Sequence, residues 1–525
     1  MRRWRPQLSE WPRAEPHPST CLMNHSAWND PDPAEVFHPT NDTEWDAALG
    51  RYLGSLQDNP LRRCVQVARS LGAATLVVET RYIDLDYRSE FSAYYSKQFC
   101  DMPDTAHRLH FFGRRLTKRS IWRTARSAGY LGYVVVRPTS TGLVSRAMLP
   151  PPPDLSDAVR TSVTETVNFF GQDLTITGVP FAQQDAQLGA CAQAAAWMCH
   201  FSAHLRGEAH RRPKADFSLK APASLHPSRS LPSGGLTALQ LSEVFRTFEL
   251  PALFYDVGGL PSPGLVWQPP DPVPPIPEKP AGLWDFRIVA IACRHLNSGN
   301  PVLVGTTNHA FILCGYRRTN TPKPSWIEFV RHDDQTGPYG LVTDVLADVD
   351  PTTGKVYGPW RTMQVPMPEK IWLAPEMAER KGGESLQAAS SRIFASWPGT
   401  KLFMGLDELI PLDRLRLRTY VIRSNAFKSG LAARGVATNI RRAYALARLP
   451  RFIWVVEAVD KALRDAGQPC VLGESVFDAT SSDRDPQRLA LHVHGIMWLQ
   501  RTSGKTQFPI FGSYVPYGTG GRGAA

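Results

Sequence analysis

The stretch from Gln184 to Phe201 reads QDAQLGACAQAAAWMCHF, with two amides and a glycine just ahead of a cysteine. Apolar residues then recur at the i, i+3, i+4, i+7, i+8 spacing of a buried helix face: Cys191, Ala194, Ala195, Met198 and Cys199. We therefore predict a core helix with Cys191 in its first turn, where the positive end of the helix dipole would lower the thiol pKa. A lone cysteine at such a place is more often a small buried hydrophobe than a nucleophile.

A base for such a thiol is offered by PVLVGTTNHAFILCGY, residues 301–316, which predicts two short strands with His309 at the start of the second. Its apolar neighbours predict a water-poor setting in which both imidazole nitrogens need partners. The alternative is an ordinary core histidine. A third group comes from WIEFVRHDDQTGPYG, residues 326–340, where a strand delivers Asp333 and Asp334 into a Gly-Pro turn. Such a carboxylate can orient an imidazole, or can serve the turn alone.

In this order the three segments resemble the papain-like cysteine peptidase superfamily, and most closely the bacterial branch that includes the double-glycine-leader peptidases of bacteriocin exporters. The resemblance covers roughly Thr161 to Pro375. It implies an α+β fold with a papain-like core, in which an N-terminal helical part with the nucleophile helix packs on an antiparallel sheet. It also implies a cysteine hydrolase that cleaves peptide or isopeptide bonds through a thioester.

Carried over residue by residue, the resemblance makes Cys191 the nucleophile, His309 the general base and acid, and Asp333 the orienting residue. Asp333 is preferred over Asp334 because it falls on the Asn position of the superfamily's Asn-Ser-Trp-Gly turn. Asp334 remains the alternative.

The glutamine that holds the oxyanion in this family usually lies six positions before the cysteine. Here Asp185 occupies that position. We assign the role to Gln184, which requires one extra loop residue, and keep Gln187 as the alternative. The same triad also serves transglutaminase-like acyltransferases, and a degenerate peptidase fold can act as a non-catalytic scaffold or sensor.

Composition limits the partners. The net charge is +11, and the segment from Arg114 to Arg126 is densely basic, but arginine exceeds lysine throughout and acidic residues are interspersed, so we do not expect nucleic acid as a partner. We expect a protein or peptide substrate and leave the oligomeric state open. No apolar run reaches the ~18 residues of a membrane span, and eight scattered cysteines fit a reducing compartment, so we expect a cytoplasmic protein.

No cofactor and no metal are expected. His200 and His204 lie four apart on the predicted helix, but the glutamate of zinc peptidases is missing from the HFSAH motif. The pair His492 and His494 shares one face of a probable strand without an evident third ligand.

Proline-rich and polar segments suggest the domain boundaries. We predict an irregular tail over 1–44, an N-terminal α/β module over 45–150, a papain-like domain over 158–375 with a proline-rich insertion at 261–280, a linker at 376–391 and a C-terminal α/β region over 392–525.

Overall fold

The computed structural model describes residues 33–53, 59–99, 101–139, 142–222, 235–257, 286–318, 327–342, 359–396, 414–493, 495–500, 510–511 and 516–521. The insertion at 261–280 and most of the tail at 1–44 lie outside these residues. The described helices are α1 (Asp42–Leu53), α2 (Asn59–Ser70), α3 (Leu85–Ala93), α4 (Ile121–Thr124), α5 (Cys191–Leu205), α6 (Lys214–Leu219), α7 (Ala238–Thr247), α8 (Phe286–Asn297), α9 (Pro375–Ser396), α10 (Ser424–Gly430), α11 (Thr438–Leu446) and α12 (Lys461–Asp465).

The described strands form three antiparallel sheets. They are β1 (Ala34–Phe37), β2 (Thr75–Tyr82), β3 (Ala106–Phe112), β4 (Tyr130–Val136), β5 (Val144–Leu149), β6 (Val163–Phe169), β7 (Gln172–Phe181), β8 (Ala252–Asp256), β9 (Val302–Gly305), β10 (Ala310–Arg318), β11 (Ile327–Asp333), β12 (Gly337–Val342), β13 (Thr362–Pro366), β14 (Leu415–Arg423), β15 (Phe452–Asp460), β16 (Val471–Asp478), β17 (Arg488–Val493), β18 (Ile496–Leu499) and β19 (Ile510–Phe511). The orders are β1-β2-β3-β4-β5-β7-β6, β12-β11-β10-β9-β13-β8 and β14 to β19 in sequence. The chain is therefore an α+β protein, as expected.

The first sheet crosses the boundary that the proline run suggested. Strand β7 pairs with β5, and Ala147 lies opposite Phe181. Helix α5 packs into the same core, which includes Leu149 and Trp197. The run of prolines therefore joins strands of one sheet rather than two separate sheets. The predicted tail also contains order, since β1 lies within it and pairs with β2.

The second sheet carries the two strands on which the site depends. Strand β10 pairs with β9 on one side and with β11 on the other. One face of β10 enters the core shared with α5 through Ile312, and the other face packs on α8 through Phe311 and Leu313. Helix α5 thus lies directly against the sheet that bears His309.

The segment 376–391, expected as a linker, lies within helix α9. This corrects the sequence interpretation. Helix α9 packs on the third sheet, where Leu386 and Ala389 join Val456 and Leu491 in one apolar cluster. Burial of this face stabilises the helix in spite of its two central glycines. Across the described residues, no helix is both long enough and apolar enough to cross a membrane.

Candidate active site

Cys191 is the first residue of helix α5, as the spacing predicted, and its side chain is half-buried. Residue Ala190 is the N-cap, and the side-chain oxygen of Gln193 accepts a hydrogen bond from its N–H at 3.1 Å. The backbone N–H groups of Ala192 and Ala310 act on the Cys191 sulfur. Because Ala310 opens strand β10, the sulfur lies beside the residue that follows His309.

His309 immediately precedes strand β10, and its imidazole is buried. The Nε2 atom lies 3.1 Å from Oδ1 of Asp333, the last residue of β11. Antiparallel pairing of these two strands brings the residues together, with Ile312 opposite His332. Burial alone would raise the pKa of Asp333, but the hydrogen bond and charge of His309 together with nearby Arg331 lower that pKa to about 2. The carboxylate is therefore ionised at neutral pH.

The alternative acid, Asp334, is also buried but lies farther from the imidazole. Its Oδ1 is 3.7 Å from Nε2 of His309, beyond hydrogen-bond distance. The Asp333 carboxylate additionally accepts a hydrogen bond from the backbone N–H of Gln335 at 2.9 Å. The geometry thus favours Asp333 as the partner of His309.

Sequence reasoning missed Gln335. Its side-chain Nε2 lies 3.3 Å from Nδ1 of His309, on the opposite side of the ring from Asp333. The only sequence signal was its place two residues after Asp333, at which turn residues commonly bond the preceding carboxylate.

The thiol pKa differs from the sequence expectation. Burial, followed by the negative charge of Asp334, raises the pKa of Cys191 to about 11, although the N–H groups of Ala310 and Ala192 oppose the rise. The favourable helix end is thus outweighed by desolvation and by carboxylates from a distant part of the chain. At neutral pH the Cys191 side chain is therefore a neutral thiol.

The two candidate oxyanion glutamines lie in the loop before Cys191. Gln187 is engaged elsewhere, because its Oε1 accepts a hydrogen bond from the hydroxyl of Tyr94 at 3.1 Å. Gln184 is half-buried and lines a small pocket together with Gly189 and Ala190. Gln184 therefore lies beside the two residues that immediately precede Cys191.

The buried trio His309, Asp333 and Asp334 also offers one nitrogen and two carboxylate oxygens that lie within 4.8 Å of one another. These atoms are of a type and spacing that could hold a divalent cation. Such an ion would compete with the contact between His309 and Asp333.

The other histidine pairs have different surroundings. His200 is buried, with its ring edge-to-face against Phe217 and Phe248. Nδ1 of His204 contacts the carbonyl oxygen of Ala209 at 3.0 Å. His492 stacks on the ring of Tyr517, and His494 lies outside the described residues.

No protein-family model matches the chain, and no curated protein matches it. Among solved structures, the crystal structure of UfSP from C. elegans aligns with a TM-score of 0.23 and 14% identity. The alignment covers 41% of this chain and 36% of that chain, so it spans little more than a third of UfSP. A likeness of this size supports no conclusion about fold or activity.

Proposed function

We propose that the protein is a papain-like cysteine hydrolase that cleaves peptide or isopeptide bonds through a thioester on Cys191. One observation carries the proposal: His309 Nε2 lies 3.1 Å from an ionised Asp333, and the residue next to His309 donates its N–H toward the Cys191 sulfur. These residues come from three distant parts of the sequence. The packing of the α5 helix on an antiparallel sheet supports the papain-like assignment.

The proposed reaction begins with transfer of the Cys191 proton to Nδ1 of His309, because Nε2 is directed at Asp333. The sulfur attacks the substrate carbonyl carbon, and its oxygen becomes an oxyanion held by the Cys191 N–H and Gln184. His309 then returns the proton to the leaving amine as the C–N bond breaks. Water, deprotonated by the same imidazole, hydrolyses the thioester and releases the thiol.

The raised pKa of the Cys191 thiol determines the stage of the reaction at which the sulfur loses its proton to His309. A neutral thiol in the resting enzyme must lose its proton to His309 during attack, rather than before substrate binds. Asp333 would stabilise the imidazolium that forms at that moment. In this respect the proposed site acts by base assistance, as serine hydrolases do.

Hydrolysis is the proposed outcome, and transfer to an amine is the alternative for the same thioester. The six cysteines in the described part of the chain are all free thiols, which supports our proposal that the enzyme works in the reducing cytoplasm. A protein or peptide is the proposed substrate class.

A comparison of cell extract treated with the wild-type protein and with Cys191→Ala tests the proposal. New peptide N-termini should appear with the wild type and be absent with the variant. Cys199→Ala is the matched control, because Cys199 is a buried thiol on the same helix, and it should retain cleavage. Termini that persist with Cys191→Ala would overturn the proposal. A scaffold would give none with any of the three proteins, and acyl transfer would appear as attachment of an added amine.

A further inference from the structure

One buried carboxylate shapes the loop that leads into Cys191. Oδ1 of Asp185 accepts three backbone hydrogen bonds, from Gln187 at 3.2 Å, Leu188 at 3.1 Å and Gly189 at 2.8 Å. Hydrogen bonds to an ionised acceptor are about twice as strong as neutral ones. Together they fix the backbone up to two residues before the nucleophile.

The loop adopts a conformation that needs such support. Ala186 has a φ of +59°, in the left-handed region that is sterically unfavourable for a residue other than glycine. Its N–H donates to the carbonyl oxygen of Gly189 at 3.2 Å, which closes a tight turn. Backbone strain of this kind persists only where surrounding contacts determine the conformation.

Two consecutive tyrosines from another part of the chain donate hydrogen bonds to this loop. The hydroxyl of Tyr95 donates to Oδ2 of Asp185 at 2.7 Å, and the hydroxyl of Tyr94 donates to Oε1 of Gln187 at 3.1 Å. Both follow helix α3 of the N-terminal region, and their rings pack edge-to-face at 5.4 Å. The N-terminal region therefore contacts the loop before Cys191 through paired hydroxyl groups.

The N-terminal region also supplies a positive charge that acts on the Asp185 carboxylate. Burial would raise the pKa of Asp185, but the Arg137 guanidinium and the N–H of Gly189 lower it, so the carboxylate stays ionised. The same guanidinium donates to the carbonyl oxygen of Gln183 at 2.9 Å and pairs with Glu90 at 3.0 Å. Arg137 thus anchors the backbone on the other side of Asp185.

We propose that Asp185, braced by Tyr94 and Tyr95, is a positioning residue of the active site. It holds the loop so that the Cys191 N–H and Gln184 face a developing oxyanion. The inference rests on the proposed hydrolase function. It makes the N-terminal region part of the catalytic unit.

The test uses Asp185→Asn and Tyr95→Phe, with Tyr87→Phe as the matched control. Tyr87 is a buried tyrosine of helix α3 whose hydroxyl donates to the carbonyl oxygen of Pro103, and its ring, which lies 6.3 Å from that of Tyr95, is kept in the Phe variant. For Asp185→Asn we expect kcat on a fluorogenic peptide to fall ~10²-fold, the effect of losing an oxyanion donor, with KM little changed. Tyr95→Phe should cost about tenfold, by loss of one hydrogen bond to a charged group.

A peptide aldehyde distinguishes a loss of active-site positioning from a general disturbance of the folded protein. Its carbonyl adds the thiol to form a hemithioacetal whose oxygen occupies the oxyanion position, whereas iodoacetamide alkylates the sulfur without needing that position. Asp185→Asn should weaken aldehyde binding ~10²-fold and leave the alkylation rate within threefold. Tyr87→Phe should lose thermal stability without either effect.

The two proposals fail in different ways. If the wild type cleaves and Cys191→Ser does not, but Asp185→Asn and Tyr95→Phe match Tyr87→Phe in kcat and aldehyde affinity, the positioning role is refuted alone. If the wild type neither cleaves a peptide library nor binds aldehydes better than Cys191→Ser, the hydrolase proposal fails and the positioning role with it.

Discussion

The side-chain Nε2 of Gln335 lies 3.3 Å from Nδ1 of His309, the nitrogen opposite the one that contacts Asp333. An amide donor at Nδ1 leaves the ring proton on Nε2, where it points at the carboxylate. This tautomer is the one a general base needs. Because Nδ1 accepts this amide hydrogen bond, the Gln335 side chain must move aside before Nδ1 can take the thiol proton in the proposed reaction.

Replacing Gln335 should therefore change thiol reactivity. In Gln335→Glu, the new carboxylate would accept a hydrogen bond from Nδ1 and stabilise a proton on that nitrogen, and the resulting positive charge would stabilise a thiolate nearby. We expect Gln335→Ala to speed alkylation by iodoacetamide at pH 7 a few-fold, and Gln335→Glu to speed it further. Equal rates in all three proteins would show that the amide does not control the ring.

Loss of the proposed nucleophile or the proposed base should remove turnover without unfolding the chain. Cys191→Ser and His309→Ala should each lower kcat by roughly 10³-fold or more, because residues that act as a unit fail together. The double variant should be no worse than either single one. Circular dichroism should show the same secondary structure in each. Activity near the wild-type level in either variant would contradict the assignment.

The two aspartates should differ in effect. Because Asp333 lies within hydrogen-bond distance of His309 and Asp334 does not, Asp333→Ala should lower kcat by ~10²–10⁴-fold, the range expected for loss of an orienting carboxylate. Asp334→Ala should cost less than tenfold. Steady-state kinetics measure both, and the reverse ranking would transfer the orienting role to Asp334.

The sequence predicted the local parts of this site because periodicity and strand signals are local. Helix α5 begins at Cys191, His309 immediately precedes β10, and Asp333 is the last residue of β11, all within two residues of where the pattern placed them. The properties that the sequence did not predict depend on contacts between residues that are far apart in the chain. The helix dipole favoured a lowered thiol pKa, and only the fold buries Cys191 and brings Asp334 close to it, both of which raise that pKa.

Helix α9 is a second feature that the local sequence did not predict, because it depends on a long-range contact. Two glycines among polar residues suggested a linker, yet a Cβ added at Gly382 would lie 2.6 Å from the Cβ of Val456 in β15. The glycine permits close packing of helix on sheet, which no local propensity reveals. The prolines before β6 suggested a domain boundary. The strands on either side of them, β5 and β7, pair in one sheet, which is a long-range contact that the local sequence does not indicate.

A stability measurement can test that packing. Gly382→Ala should destabilise the protein by about 1–3 kcal/mol, because the added methyl group overpacks a close contact. Gly430→Ala is the matched control, since nothing lies within 4 Å of its added Cβ, and a helical alanine is favoured over glycine. Chemical denaturation should therefore show opposite signs. A stabilised Gly382→Ala would mean that α9 packs less closely.

The pH dependence of alkylation tests the electrostatics of the nucleophile. With a pKa of about 11, only roughly one thiol in a thousand is ionised at pH 8, and the iodoacetamide rate should rise about tenfold per pH unit until it levels near pH 11. Since the charge of Asp334 raises this pKa, Asp334→Asn should lower it, moving the curve to lower pH and raising the rate at pH 8 several-fold. Cys191→Ala supplies the background from the other cysteines. A plateau below pH 8 in the wild type would mean that the resting site already holds a thiolate, and base assistance during attack would then be rejected.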